Sequence, residues 1–283
     1  MRVVSFGSLN LDLAIRVPHL AAPDETVLAT SVDEHLGGKG LNQAVAAARL
    51  GASTAMVGLV GADAHGPTLR EGLARNGVDD DHVGVAGVVS GLALCQLADD
   101  GSSVITVVPG ANALLGPEHA DAAADVLAAA DVLLLQGEVP VAASRRAAEL
   151  ARAGGALVVV NPAPVRPRLG ELLALASIIV VNRVEAAALG IDPAADDGRV
   201  VVTLGERGAI VSGRAVSAVP APQVVDPTGA GDAFTAALAV SLAEGLPLEE
   251  AGRRACAAGS AAVRVAGAEP SFPTRAQLDA LVR

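Results

Sequence analysis

The segment VLLLQGEVPVAASRRAAELARAGGALVVVN, residues 132–161, holds two short apolar runs around an alanine-rich stretch. Val132–Gln136 and Ala156–Val160 have the length of strands, and Val141–Ala153 has the pattern of a helix. The alternation continues on both sides. Arg2–Gly7, Thr54–Val60, Ile178–Val181 and Val200–Leu204 are further candidate strands, and Leu41–Leu50, Thr68–Asn76, Glu118–Ala129 and Leu169–Leu175 are further helical patterns. Strands that alternate with helices imply a parallel sheet covered by helices on both faces.

Some segments break this rhythm. Leu11–Val17 alternates apolar with other residues, and Leu92–Leu97 and Ser103–Val108 flank the turn Asp99-Asp100-Gly101. With Thr26–Leu36 they read as a small antiparallel sheet set into the α/β body, placed to cover a site or pair with another subunit. The inserted segments are about 11–36 and 90–108, within a single domain spanning 1–283. The C-terminal third adds a hairpin-like stretch at Ala209–Val219, helices over Ala233–Glu244 and Leu248–Val265, and a last helix ending at Arg283.

Acidic residues outnumber basic ones 31 to 20, for a formal charge of −11, which disfavours nucleic acid and anionic membranes as partners. An anionic ligand would need local devices such as backbone amides, a helix N-terminus or a metal. The opening MRVVSFGS is too short for a signal peptide, and no apolar run has membrane-spanning length, so the expected location is cytoplasmic. Cys95 and Cys256 lie far apart without a paired CxxC and read as buried small hydrophobes. His19, His35, His65, His82 and His119 are scattered, which suggests exposed loops.

Two stretches carry chemistry. Lys39, within LGGKGLNQ (36–43), is the only lysine of the chain. A compact, flexible ammonium in a glycine turn suits a ligand donor, and a chance surface lysine is the alternative. The second stretch is DPTGAGD (226–232), where small residues lead into a helix whose free N–H groups and positive dipole end favour an anion. Asp232 at that terminus either caps the helix or acts as a general base beside an anion hole. A dinucleotide fingerprint fails because Phe234 occupies the third glycine position. A Walker A loop fails because Gly40 follows Lys39 and Asp33 stands where the first glycine belongs.

These residues carry a resemblance that runs nearly end to end. The stretches Gly7-Ser8-Leu9-Asn10-Leu11-Asp12, Gly37 through Ala44, and Asp226 through Leu238 resemble the motifs of the ribokinase (PfkB) family of sugar kinases. Gly110-Ala111-Asn112-Ala113, Gln136-Gly137-Glu138, Asn161-Pro162-Ala163-Pro164 and Asn182-Arg183-Val184-Glu185 lean toward the ribokinase branch. The implied fold is a ribokinase-like α/β sandwich with a small antiparallel β-sheet lid. The implied reaction is ATP-dependent phosphorylation of a small sugar, D-ribose foremost, at a primary hydroxyl. Alternatives are a nucleoside or other furanose kinase, a catalytically silent sugar-binding protein and, weakest, an NAD-dependent dehydrogenase.

The resemblance also implies roles. Asn10, Asp12, Gly38, Lys39, Asn42 and Glu138 would hold the sugar, with Asp232 as base and Gly229, Ala230 and Gly231 lining the anion hole. Asn182, Glu185, Thr203, Gly205, Gly208, Gly231 and Cys256 would face the nucleotide, with Glu185 reaching Mg²⁺ through water. A K⁺ site would use Asp226, Ser271 and carbonyls near Thr228, Ala262, Val265 and Gly267. A homodimer through the lid is the family expectation. Between Glu185 and Thr203 this chain has only a short helix at Ala186–Leu189 and a loop over Gly190–Arg199, so the nucleotide side should be more open than usual. Pro227 also removes one N–H beside the anion hole.

Overall fold

The computed structural model describes residues 1–194 and 198–282. Its strands, in chain order, are β1 (Arg2–Phe6), β2 (Asn10–Val17), β3 (Ser31–Gly37), β4 (Ser53–Gly61), β5 (Val78–Ala86), β6 (Gly91–Ala98), β7 (Ser103–Val108), β8 (Val132–Gln136), β9 (Leu157–Asn161), β10 (Ile178–Asn182), β11 (Val200–Thr203), β12 (Ala209–Val211) and β13 (Arg214–Val216). Its helices are α1 (Lys39–Arg49), α2 (His65–Arg75), α3 (Pro117–Ala122), α4 (Ala124–Ala128), α5 (Val141–Ala153), α6 (Leu169–Leu173), α7 (Arg183–Leu189), α8 (Ala230–Ala243), α9 (Leu248–Ala262), α10 (Ala268–Ser271) and α11 (Arg275–Leu281).

Among the described residues, nine strands form one sheet in the order β13-β12-β11-β10-β9-β8-β1-β4-β5. Neighbours from β11 to β5 are parallel, and β12 and β13 add an antiparallel hairpin. Successive side chains of a strand point to opposite faces, so an unbroken apolar run feeds two cores at once. Val3, Leu134, Val159 and Val180 join α1, α8 and α9 on one face. Val4, Leu133, Leu135, Val158 and Val181 join α5 and α6 on the other. The expected parallel sheet with helices on both faces is present.

The second sheet has the order β3-β2-β6-β7. Its β2–β3 and β6–β7 pairs are antiparallel, whereas β2 and β6 are parallel over Asn10↔Gly91 through Val17↔Ala98. The wholly antiparallel sheet expected from sequence is therefore mixed. Strands β2 and β6 continue β1 and β5, which run the same way in the main sheet, so they emerge with the same polarity. In place of the expected Thr26–Leu36 segment, the strand runs over Ser31–Gly37, starting five residues later and ending one residue beyond it.

Strand β5 has no counterpart in the sequence reading. Asp79, Asp80 and Asp81 interrupt its apolar pattern because it is a sheet edge, where charges discourage pairing with other chains. Asp80 is tied back to α2 by an ion pair with Arg70. The helix expected over Glu118–Ala129 is two short helices parted at Ala123. Helix α8 starts at Ala230, three residues before the expected Ala233, because its N-cap is Gly229. The histidines also differ from expectation. Only His19 lies in an exposed loop, while His35 and His82 are half-buried in strands and His65 and His119 belong to helices. The end of the last expected helix at Arg283, and residues 195–197 of the expected loop, lie outside the described residues. Among the described residues no helix is long and apolar enough to cross a membrane.

Candidate active site

The chain winds from β1 through β4 to β5 on one side, and from β8 through β9 and β10 to β11 on the other. The reversal falls between β1 and β8, and ligands of open α/β sheets bind beyond the carboxyl ends of strands at such a reversal. Here Ser8, Glu138 and the start of α1 converge. Glu138 accepts hydrogen bonds from the Ser8 hydroxyl and, at 3.0 Å, from the Lys39 N–H. A Cβ on Gly40 would lie 2.6 Å from the Ser8 nitrogen, so glycine is required for α1 to start this close to the end of β1.

Asn10 begins β2 and is 3% exposed. Its Oδ1 accepts from Asn112 Nδ2 at 2.8 Å, while Asn112 also clamps the Leu9 backbone at 2.9 and 3.1 Å. Two residues on, Asp12 Oδ1 is buried without a hydrogen-bond partner among the described residues. Burial first, then the charges of Glu138 and Asp232, push the Asp12 carboxyl up to about 7, with Lys39 opposing.

Lys39, half-buried at the start of α1, joins none of the ion pairs among the described residues. Asp232 foremost, then Glu138, Glu185 and Asp12, raise its pKa against the effect of burial. The ammonium of the lone lysine is thus a cation within the field of four carboxylates, and among the described residues it is bonded to none of them, although the Lys39 backbone N–H donates to Glu138. Nearby, Asn42 Oδ1 is a second buried acceptor without a partner.

Asp232 lies in the first turn of α8 and is 4% exposed. Its carboxylate turns toward α1, accepting from Asn42 Nδ2 and Gln43 Nε2, each at 3.0 Å. The capping alternative is therefore not what the side chain does. Gly229 enters α8 in the left-handed region at φ 80°, where a side chain would strain the backbone and a Cβ would meet Ala268 at 2.9 Å. Among the described residues no partner is found for the N–H groups of Gly229, Gly231 and Asp232. The expected anion hole over 229–232 differs at one place: the Ala230 N–H is engaged by the Pro227 carbonyl at 3.2 Å.

The other side of the cleft is built from local turns. Asn182 and Glu185 form a reciprocal capping box at the start of α7, with bonds of 2.9 and 2.8 Å. Asn182 thus serves as the N-cap of α7, and Glu185 still reaches Lys39 through its charge. Thr203 ends β11 and bonds the Val181 carbonyl at 3.4 Å, and Gly205 and Gly208 bracket a single 3-10 turn. Cys256 is buried in α9 within the core, its thiol pushed up to about 11 by burial. Cys95, read from sequence as buried, is half-buried in β6.

Asp226 accepts from the Thr228 N–H at 2.8 Å and the Gly267 N–H at 2.9 Å, joining the turn before α8 to the loop before α10. Although burial works the other way, hydrogen bonds from the Thr228 hydroxyl and these two amides hold its carboxyl below the usual range. Ser271 donates to the Ala268 carbonyl at 2.7 Å, which leaves its oxygen lone pairs free. The Ala262 carbonyl accepts from Val265 N–H at 3.5 Å. The structure therefore brings Asn10, Asp12, Lys39, Asn42, Glu138 and Asp232 to one cleft. Asn112, Gln43, Gln136 and Asn161, whose sequence context shows no role by itself, stand behind them.

The family profile described as pfkB family carbohydrate kinase matches residues 1–275. The chain is 35% identical over 288 residues to a ribokinase of Haemophilus influenzae, covering 95% of this chain and 94% of the relative. It is 37% identical over 290 residues to a ribokinase of Bacillus subtilis, covering 98% and 97%. The solved Arabidopsis thaliana ribokinase, a complex with ribose and ATP, superposes with a TM-score of 0.88 at 34% identity, covering 100% of this chain and 98% of that one.

Proposed function

We propose, on the premise that this chain belongs to the pfkB family of carbohydrate kinases, that it transfers the γ-phosphoryl group of ATP to the primary hydroxyl of D-ribose. The observation that carries this reading is the pair of buried, unpartnered acceptors, Asp12 Oδ1 and Asn42 Oδ1, beside an unpaired ammonium. Sugar hydroxyls donate to the acceptors, and a sugar or phosphate oxygen accepts from Lys39.

Asn10, Asp12, Gly38, Lys39, Asn42 and Glu138 hold the sugar. Asp232 takes the proton of the attacking hydroxyl, and the free amides of Gly229, Gly231 and Asp232, on the turn completed by Ala230, stabilise the transferring group. The nucleotide lies over Asn182, Glu185, Thr203, Gly205, Gly208 and Gly231, with Cys256 behind its base. Among the described residues no cluster of three His, Cys, Asp or Glu side chains is arranged for a metal, which suits Mg²⁺ carried on the donor phosphates. Glu185 fits a water-mediated role, since its capping bond uses Oε2 alone. Mg²⁺ bound there supplies neutralisation of phosphate charge. Asp226, Ser271 and the carbonyls of Thr228, Ala262, Val265 and Gly267 offer the oxygen-only set that suits K⁺. The small sheet serves as a lid within a single domain. Its strand β7 exposes Val104, Ile105, Val107 and Val108, an apolar edge for a lid-to-lid homodimer.

The test is ADP release with Mg-ATP and D-ribose, with and without K⁺, beside hexoses and nucleosides. Ribose-dependent turnover raised by K⁺ is the expected result. Preference for a nucleoside would move the acceptor assignment within the family, and sugar binding without ATP turnover would leave a silent binding protein.

A further inference from the structure

Behind the catalytic aspartate lies a chain of buried amides that no step above uses. Gln43 is fully buried and Gln136 is 1% exposed. Gln43 Nε2 donates to Asp232 Oδ1 at 3.0 Å and to Asn161 Oδ1 at 3.3 Å, while its Oε1 accepts from Gln136 Nε2 at 2.9 Å. Gln136 Nε2 also reaches Ser5 Oγ at 3.4 Å, and Ser5 in turn donates to the Gly40 carbonyl at 2.8 Å.

The polarity of this chain is determined at every link. An ionised carboxylate only accepts, so Gln43 must present its NH₂ to Asp232. Asn161 uses its own Nδ2 on the Val180 carbonyl at 2.9 Å, so it too presents an acceptor to Gln43. Flipping Gln43 would set its oxygen against two acceptors. Ser5 spends its hydroxyl proton on Gly40, so it accepts from Gln136. One consequence is costly: Gln136 Oε1 is buried without a partner among the described residues, facing Gly7, where a Cβ would fall 2.0 Å away. A network kept only to hold the fold together gains nothing from that orphan, whereas one that must point a donor at Asp232 does.

We infer that Gln43, oriented by Gln136 and Asn161, is a positioning residue that fixes the direction of the Asp232 carboxylate toward the attacking hydroxyl. This rests on the reading of Asp232 as the base. Gln43 touches neither sugar nor nucleotide in that reading, so its loss acts on turnover rather than on binding.

The test compares kcat, KM and calorimetric ribose affinity for Gln43→Met, Gln136→Met, Asp232→Asn and the double variant Gln43→Met/Asp232→Asn. Methionine keeps the length and cannot donate. Gln43→Met is expected to lower kcat about 10- to 100-fold with KM for ribose within about threefold, the split that misplacement of a catalytic group produces. Gln136→Met shifts kcat the same way by less and carries the test if Gln43→Met does not fold. The double variant should be no slower than Asp232→Asn alone, since Gln43 acts through Asp232. Folded Gln43→Met with wild-type kcat, a raised KM at unchanged kcat, or losses that multiply in the double variant would each overturn the inference while Asp232→Asn stayed inactive. Near-normal turnover of Asp232→Asn would instead remove the base assignment on which the inference stands.

Discussion

The two sides of the cleft are made differently. On the side proposed for the sugar, Asn42 and Gln43 are almost wholly buried and each bonded to the buried Asp232, about 190 residues along the chain. On the side proposed for the nucleotide, Asn182 and Glu185 bond each other three residues apart, and Asn182 and Gly205 are exposed. The first arrangement exists only once α1 and α8 have packed on the sheet, and it presents unpartnered acceptors in a preset geometry. The second needs only a strand end and the first turn of a helix. The side proposed for the sugar is therefore pre-organised, and the side proposed for the nucleotide is a set of locally stable turns.

Variants on each side should sharpen that contrast. The largest effect belongs to Asp232→Asn, expected to lower kcat by about 10²- to 10⁴-fold, the usual contribution of a general base, with ribose affinity nearly kept by calorimetry. Next is Lys39→Ala, which leaves the field of Asp232, Glu138, Glu185 and Asp12 without its cation. It should lower kcat/KM for ribose about 100-fold, and steady-state assays varying ribose at saturating ATP read this directly.

Asp12 supplies a prediction in pH. Its carboxyl titrates at about 7 in the folded protein against an ordinary 3.8, so its contribution to stability is fully present below about 4 and is lost as pH rises through about 7. A sugar hydroxyl donated to Asp12 favours the ionised form. Ribose binding should therefore weaken as pH falls below about 7 and release a proton near pH 6.5. Calorimetry in buffers of different ionisation enthalpy measures that proton, and Asp12→Asn should abolish it. Equal heats in all buffers for the unmodified protein would remove the ionisable role of Asp12.

The smallest effect is expected across the cleft. Asn182→Ala removes one half of a capping box, costing about 1 kcal/mol by thermal unfolding. It should raise KM for ATP a few-fold and leave KM for ribose unchanged. An equal rise for both substrates would break the distinction between the two sides.

How much of this was legible in the sequence depended on how local each cause was. The parallel strands showed as apolar runs because burial on both faces demands them, whereas β5 was hidden by Asp79–Asp81 because an edge strand is relieved of that demand. The parallel pairing of β2 with β6 was equally hidden, since pairing partners 81 positions apart, such as Asn10 and Gly91, leave no mark in either segment. Lys39 was conspicuous by composition, and the turn before α8 by its glycines. Gln43 was not conspicuous. A glutamine in an alanine-rich helix carries no periodic signal, and its meaning comes from Asp232, Asn161 and Gln136 meeting it in space.

By itself, then, the sequence determined the class of fold, the two glycine turns that lead into α1 and α8, and the residues able to donate, accept or carry charge there. Those follow from local rules of burial, backbone freedom and side-chain chemistry. Only the tertiary structure decided that Asp232 turns to α1 rather than capping its own helix, and that the Ala230 N–H is engaged by the Pro227 carbonyl. It also decided that, among the described residues, Asp12 and Asn42 are left with acceptors unspent. Hydrogen-bond satisfaction is a property of the assembled neighbourhood, and a buried group's reactivity is set by which partners folding has left it.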